Sequence, residues 1–166
     1  MLSRASLMLC SIAFVPLSAV ESAIPRLVGE LLVGTADLEP GVAAEWTFGE
    51  ELPIRVRPEA LINRRDLPGL ALSVTFPIAA GSLPGDQELH LGPRLVFHNE
   101  RYRGGKYDDD LRYGLGFEVF GIYDFPIVPS QPGRHGIQAL AALGVVDHRD
   151  DLDPSLTVGA AYAFSF

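Results

Sequence analysis

The sequence predicts an all-β protein, an antiparallel up-and-down transmembrane β-barrel of about eight strands that follows a cleaved signal peptide. Three observations predict this fold. Apolar and polar residues alternate with a period of two, about eight segments show the alternation, and no helical period of any length occurs past the N-terminal region. Alternating segments of about ten residues are typical of membrane-spanning barrel strands, and eight is the smallest strand number in this class.

The first 23 residues have the order of parts found in a secretory signal peptide. Arg4 precedes an apolar run from Ala5 to Leu17, and small residues follow, so that cleavage is expected after Ala19 or after Ala23. The apolar run is shorter than the roughly 20 residues that a membrane-spanning helix needs. We therefore predict a signal peptide over residues 1–23 and a single barrel domain over residues 24–166.

Composition excludes several classes of protein. The only cysteine, Cys10, lies in the signal peptide, so the exported domain has no disulfide to stabilise it. The formal net charge is −8 and no basic stripe is visible, which excludes a nucleic-acid partner because binding phosphates requires a basic face.

The predicted strands lie near residues 26–36, 41–49, 52–62, 69–78, 88–102, 110–123, 134–147 and 155–166. The last segment shows the alternation most clearly. Its even-numbered residues from Leu156 to Phe166 are apolar, whereas its odd-numbered residues from Thr157 to Ser165 are small or polar. Each strand is therefore expected to present one apolar face and one polar or small-residue face.

The polar face of the predicted strands carries charges of both signs. Buried charges are tolerated when they are paired, and an eight-stranded barrel has an interior just wide enough for interlocking side chains. We therefore predict that these residues form a polar network in the lumen: Glu30, Glu45, Arg55, Arg57, Arg94, Arg112, Glu118 and Gln138. The alternative is that they form the solvated outer face of a soluble sheet.

Aromatic residues mark the ends of the even-numbered strands. If both termini lie on the periplasmic side, these strands run toward that side and end in an aromatic belt at the membrane interface. The belt is predicted to contain Trp46, Phe48, Phe76, Tyr123 and Phe125. Plain packing at strand ends would also explain aromatic residues there.

In these features the chain resembles the small bacterial outer-membrane barrels of the OmpA, OmpX and OmpW type, by architecture and by its C-terminal segment Thr157–Phe166. The resemblance implies that Gly159, Tyr162, Phe164 and Phe166 contact the barrel-assembly machinery. It also implies a monomer in the outer membrane, in contact with its lipids and lipopolysaccharide. An ordinary last strand is the alternative interpretation of this segment.

Proline interrupts the pattern in several places. Pro93 falls in the middle of the fifth predicted strand, where a closed barrel offers no edge, so a bulge at Gly92–Pro93 is expected.

Outward connections are predicted over residues 35–41, 58–68, 103–110 and 147–154. Aspartates in the last two could hold Ca²⁺, but no spacing matches a calcium loop, and we predict neither a metal nor a cofactor.

Three roles remain open at this stage. The first is a structural or surface-display barrel with a plugged lumen. The second is binding of a small apolar molecule in the lumen or rim, for which a continuous apolar lumen would be the sign. The third is a soluble lipocalin-like binder, which would turn Leu70, Val74, Leu115 and Phe117 inward.

An enzyme that hydrolyses lipid A is disfavoured. Such a hydrolase needs a serine within reach of its histidine base. In the barrels of this kind a serine follows the histidine by two residues, whereas Glu100 stands at that position after His98. We expect no catalytic residues.

Overall fold

The computed structural model describes residues 25–34, 38–49, 52–62, 68–78, 83, 87–101, 111–127, 135–148 and 151–165. They form eight strands, in chain order β1 (Arg26–Gly34), β2 (Leu38–Phe48), β3 (Ile54–Ile62), β4 (Pro68–Pro77), β5 (Glu88–Arg101), β6 (Leu111–Pro126), β7 (His135–His148) and β8 (Asp151–Phe164). The predicted signal peptide lies outside the described residues. Within these ranges, no helix is long and apolar enough to cross a bilayer.

The strands close into one barrel. Each strand pairs antiparallel with its neighbours in the chain, and β1 pairs with β8 to complete the ring. The prediction of an all-β, eight-stranded antiparallel barrel is confirmed. We call the end where β1 begins and β8 finishes the terminal end, and the opposite end the loop end.

The two halves of the barrel differ in height. Strands β1–β4 have 9 to 11 residues, whereas β5–β8 have 14 to 16. At the loop end, β8 pairs with β7 from Asp151 onward, and among the described residues it pairs with β1 from Thr157 onward. Pro154 lies within β8 and is exposed.

The predicted bulge at Gly92–Pro93 is wrong. In the pairing of β4 with β5, Ser73 is paired with Arg94 and Phe76 is paired with Leu91. Two residues lie between these pairs on each strand, so neither strand carries the extra residue of a bulge. A Cβ added at Gly92 would lie 2.0 Å from the Val74 carbonyl oxygen. The glycine therefore lets β5 approach β4 closely beside a proline that cannot donate.

Several predicted strand limits were also wrong, because prolines lie within strands. The sixth strand continues to Pro126, the second begins at Leu38 and the eighth begins at Asp151. The connection predicted over residues 58–68 is wrong in its first half, because the third strand continues past Pro58 to its predicted end at Ile62. Pro58 is exposed on the outer face, and the register of β2 with β3 is the same on both sides of it.

We expect Gly92→Ala to lower the free energy of unfolding by about 3 kcal/mol, because the new methyl group would overlap the Val74 carbonyl oxygen. The matched control is Gly29→Ala on the outer face of β1, where an added Cβ would meet nothing within 4 Å. That control should change stability by less than about 0.5 kcal/mol. Urea unfolding in lipid vesicles measures both, and equal effects would contradict the close approach.

Candidate functional site

The outer face of the barrel is apolar. Leu70, Leu115 and Phe117 are 59%, 61% and 56% exposed, and Val74 has the same outward parity in β4. The soluble lipocalin-like arrangement, which would turn these side chains inward, is therefore wrong. The exposed apolar set continues around the ring and includes Leu31, Val33, Val42, Leu72, Leu95, Val119, Ile137, Leu143, Val145 and Val158. An exposed apolar surface of this extent suits a hydrocarbon solvent rather than water.

The interior of the barrel is charged. Near the terminal end, Arg26 Nη1 lies 2.6 Å from Asp124 Oδ2 and 3.2 Å from Glu45 Oε1. Arg55 Nη1 donates to the same Asp124 oxygen at 2.9 Å, and Arg55 Nη2 donates to Glu88 Oε2. Two guanidinium groups thus share one aspartate, so the buried Asp124 carboxylate is paired on its Oδ2 atom.

The middle of the lumen is organised around Arg57, which is fully buried. Its Nη2 donates to Glu30 Oε2, and its Nη1 donates to Gln138 Oε1 at 2.6 Å. Gln138 Nε2 in turn donates to Glu45 and Asp124, each at 3.3 Å. Gln138 therefore joins the central ion pair to the cluster at the terminal end.

A third group surrounds Arg94. Its Nη1 donates to Glu118 Oε2 at 2.9 Å and its Nη2 donates to Glu59 Oε2 at 2.5 Å. Glu59 also lies 3.6 Å from Arg57 Nε, and Ser155 Oγ donates to Glu118 Oε1 at 2.6 Å. The ion pairs consequently form one connected network that runs along the lumen.

Phe120 supports two of these guanidinium groups from within the lumen. The Cζ atoms of Arg94 and Arg57 lie 4.9 and 5.8 Å from the centre of its ring. Both distances fall within the range of cation–π attraction. An aromatic ring at this position fills space between the arginines without adding a polar group that would need a partner.

The structure places seven of the predicted lumen residues inside the barrel: Glu30, Glu45, Arg55, Arg57, Arg94, Glu118 and Gln138. The side chain of Arg112 lies outside the described part of the chain. Sequence reasoning missed Arg26, Glu59, Glu88 and Asp124, which also take part in the network. Continuing the two-residue alternation from Arg57 to Glu59, and from Glu118 to Asp124, would have identified two of them.

One inward-facing glycine leaves space for an acid of the network. A Cβ added at Gly136 would lie 2.7 Å from Asp124 Oδ1, so a larger residue there would displace this carboxylate from its arginine partners. A Cβ added at Gly144 would instead lie 2.1 Å from the Phe117 carbonyl oxygen, so this glycine lets β7 approach the backbone of β6 closely.

The five aromatic residues of the predicted belt, Trp46, Phe48, Phe76, Tyr123 and Phe125, lie at outward positions near the terminal end. Tyr123 donates to Gln87 Oε1 at 2.5 Å and packs edge-on against Phe125 with ring centres 4.4 Å apart. A tyrosine with an apolar body and a hydrogen-bonded hydroxyl suits a membrane–water boundary.

The predicted assembly residues fall on both faces of β8. Tyr162 and Phe164 point outward, and the Tyr162 hydroxyl lies 2.8 Å from His135 Nδ1. Gly159 points inward, where an added Cβ would lie 2.6 Å from Leu32 Cδ2. Phe166 and the side chain of His98 lie outside the described residues. Among the described residues, no three His, Cys, Asp or Glu side chains are grouped to hold a metal ion.

No protein-family model and no curated protein matches the chain. Among solved structures, the chain is similar to a de novo designed transmembrane β-barrel, with 14% identity over 83% of this chain and 94% of that one and a TM-score of 0.42. It is also similar to the Yersinia pestis outer membrane protein Ail in a phospholipid bilayer nanodisc, with 11% identity over 84% of this chain and 99% of Ail and a TM-score of 0.36.

The fold and the distribution of side chains themselves define the class. A closed barrel leaves no unpaired strand in the bilayer, its outside is apolar, and its inside holds paired charges. The chain is a small eight-stranded membrane β-barrel.

We expect Glu118→Ala to lower the free energy of unfolding by about 3 kcal/mol, because it removes one of the two buried carboxylate partners of Arg94 and the acceptor of the Ser155 hydroxyl. Asp147→Ala, at an exposed outward position on β7, should change stability by less than about 0.5 kcal/mol. Unfolding in urea in the same vesicles measures both variants. Similar losses would mean that Glu118 contributes no more than a solvated carboxylate.

Proposed function

We propose that this chain is an integral protein of a bacterial outer membrane, with a plugged lumen and a structural or surface-display role. The observation that carries the proposal is the joint arrangement of an apolar exterior and a connected network of ion pairs that fills the interior. Such an interior stabilises the barrel wall from within and leaves the loop end as the surface available to the outside.

The export route that the sequence predicts supports a location in the outer membrane. A signal peptide over residues 1–23 would direct the chain across the inner membrane. Past that peptide, the longest stretch without a charged residue covers residues 67–85, and its three prolines disfavour a helix that would stop in the inner membrane. A barrel that forms only after export, in contact with outer-membrane lipid and lipopolysaccharide, is consistent with both features.

Display is favoured over binding of a small apolar molecule in the lumen. Arg57, Arg94 and Phe120 lie across the middle of the interior, and all three are buried. A continuous apolar passage is therefore not formed by the described residues. No reaction is needed in this proposal, and the barrel is expected to act as a monomer.

The C-terminal strand is proposed to carry the signal for assembly. The outward side chains of Tyr162 and Phe164 are available on the same face as the preceding apolar residues of β8. A machine that inserts barrels could bind this face before β8 closes on β1.

Fractionation of expressing cells tests the location. We expect recovery in the outer membrane, together with faster gel migration of the unboiled detergent extract than of the boiled sample, because a closed barrel resists the detergent until heated. Recovery in the soluble periplasm, with no dependence on heating, would refute the proposal.

Removal of Phe166 tests the assembly signal. The truncated chain should accumulate in the periplasm with a reduced heat-dependent fraction, whereas Leu152→Ala, an exposed apolar change at the other end of β8, should assemble normally. The purified truncated chain, refolded in detergent, separates a loss of recognition from a loss of folding. Normal assembly of the truncated chain in cells would leave β8 as an ordinary closing strand.

A further inference from the structure

The acids of the lumen outnumber the arginines that pair with them. Among the described residues of the network, six carboxylates meet four guanidinium groups. The side chain of Glu88 is 42% exposed, so water can solvate its charge. The other five acids are buried: Glu30, Glu45, Glu59, Glu118 and Asp124. One buried acid therefore has no cation of its own, and an uncompensated buried carboxylate is costly.

The shortage of cations is greatest around Arg57, because its guanidinium group contacts three acids. Its Nη2 donates to Glu30 Oε2. Its Nη1 lies 3.5 Å from Glu45 Oε2, and its Nε lies 3.6 Å from Glu59 Oε1. All four side chains are completely inaccessible to solvent. A single positive charge is thus shared among three carboxyl groups that water does not reach.

Glu30 has the fewest partners of these three acids. Glu45 lies within ion-pair distance of two further arginines of the network, and Glu59 accepts a hydrogen bond from one more. Among the described residues, Arg57 is the one guanidinium group that pairs with Glu30. Glu30 is therefore the acid whose negative charge is least compensated.

The second carboxyl oxygen of Glu30, Oε1, lies in apolar surroundings. It is buried, and no described residue forms a hydrogen bond with it. A Cβ added at Gly41 on the paired strand would lie 2.8 Å from this oxygen and 2.6 Å from Leu61 Cδ2, so carboxyl and methyl groups occupy the same space. On β1 itself, the buried side chains of Val28 and Leu32 flank Glu30. Such surroundings favour a neutral group over an ion.

We propose that Glu30 carries a proton in the closed barrel. A neutral carboxyl group still accepts from Arg57 Nη2 through Oε2, and it places no charge against Gly41 and Leu61. With Glu30 neutral, four buried carboxylates stand against four guanidinium groups, so the charges of the buried network balance. The proton comes from water when the strands close, because an exposed glutamate of the unfolded chain is ionised above about pH 4.3.

The charged groups close to Glu30 lie on three other strands. Arg57 and Glu59 belong to β3, Glu45 belongs to β2, and Arg94 belongs to β5. On β8, the other neighbour of β1, the described inward side chains are not ionisable. Arginine keeps its charge at every relevant pH, and each of the other two acids has an arginine besides Arg57. Within this group, Glu30 is consequently the residue that exchanges a proton with solvent as the barrel closes.

A proton that is taken up on closure makes the stability of the barrel depend on pH. When the folded state holds one proton more than the unfolded chain, the unfolding equilibrium constant rises about tenfold for each unit of pH. The barrel is therefore more stable in acid, and this stability is lost as the pH rises from about 4.3 to the value at which folded Glu30 ionises. The inference goes beyond the proposed structural role, because it makes the barrel respond to the acidity of its surroundings.

Urea unfolding of Glu30→Gln in lipid vesicles tests the proposal. Glutamine keeps the shape of the neutral acid but cannot ionise in the unfolded chain. The variant should therefore be more stable than the wild type, and the ratio of the two unfolding constants should change about tenfold per unit between about pH 5 and about pH 7. Taking this ratio cancels the contribution of histidines, including the buried His90 beside Glu88.

The matched control is Glu45→Gln, which changes a second buried acid that contacts Arg57. This acid is paired with further arginines and is ionised in both states, so its loss should raise the unfolding constant about a hundredfold with no dependence on pH in the same range. The two substitutions are thus expected to act in opposite directions. A Glu30→Gln barrel that is destabilised as much as Glu45→Gln, or that does not fold, would overturn the proposal.

Infrared spectroscopy tests the wild-type barrel directly, in a detergent without ester groups. A protonated carboxyl group has a carbonyl stretch that ionised carboxylates lack, and exposed acids are ionised at about pH 7. We expect this band in the folded wild type and in Glu45→Gln, and its loss in Glu30→Gln. Heat-dependent gel migration establishes beforehand that each sample is folded. Absence of the band from the wild type, or its persistence in Glu30→Gln, would show that Glu30 holds no proton.

Discussion

The interior of an eight-stranded barrel has room for side chains and little else, so every charge placed there needs a partner on another strand. In this barrel, Gln138 and Glu59 connect the separate ion pairs into one network from the terminal end to Ser155. The network ties together strands that are far apart in the chain. The apolar outer face follows from the same alternation, because successive side chains of a strand point to opposite faces. When the charged residues point into the lumen, the apolar residues between them point outward.

The alternation predicted the fold and most of the lumen, because a period of two assigns each residue of a strand to one face whatever its neighbours are. It could not predict which arginine meets which acid. Arg26 and Asp124 are 98 residues apart in the chain and meet only through the register of the closed barrel. Prolines misled the prediction of several strand limits, so that the sixth strand was predicted to end at residue 123 and Asp124 fell outside it. The belt and assembly roles remain predictions.

Glycine has two separate uses that the sequence pattern does not distinguish. Gly92 allows two strand backbones to approach beside Pro93, and its substitution would strain the wall. Gly144 likewise faces a backbone carbonyl, that of Phe117 at 2.1 Å from an added Cβ, whereas Gly136 leaves lumen volume for the Asp124 side chain. In a sequence, each is merely a small residue on the polar face. Only the positions of the atoms on the adjacent strand show which contact would be lost.

The outer face is expected to contact lipid, and the single tryptophan of the chain, Trp46, reports on this contact directly because it points outward near the terminal end. Its fluorescence should be measured in vesicles of phospholipids brominated at different depths. We expect strong quenching by lipids brominated near the head group and weak quenching by aqueous iodide. Strong quenching by iodide with none by brominated lipid would contradict a membrane-embedded barrel.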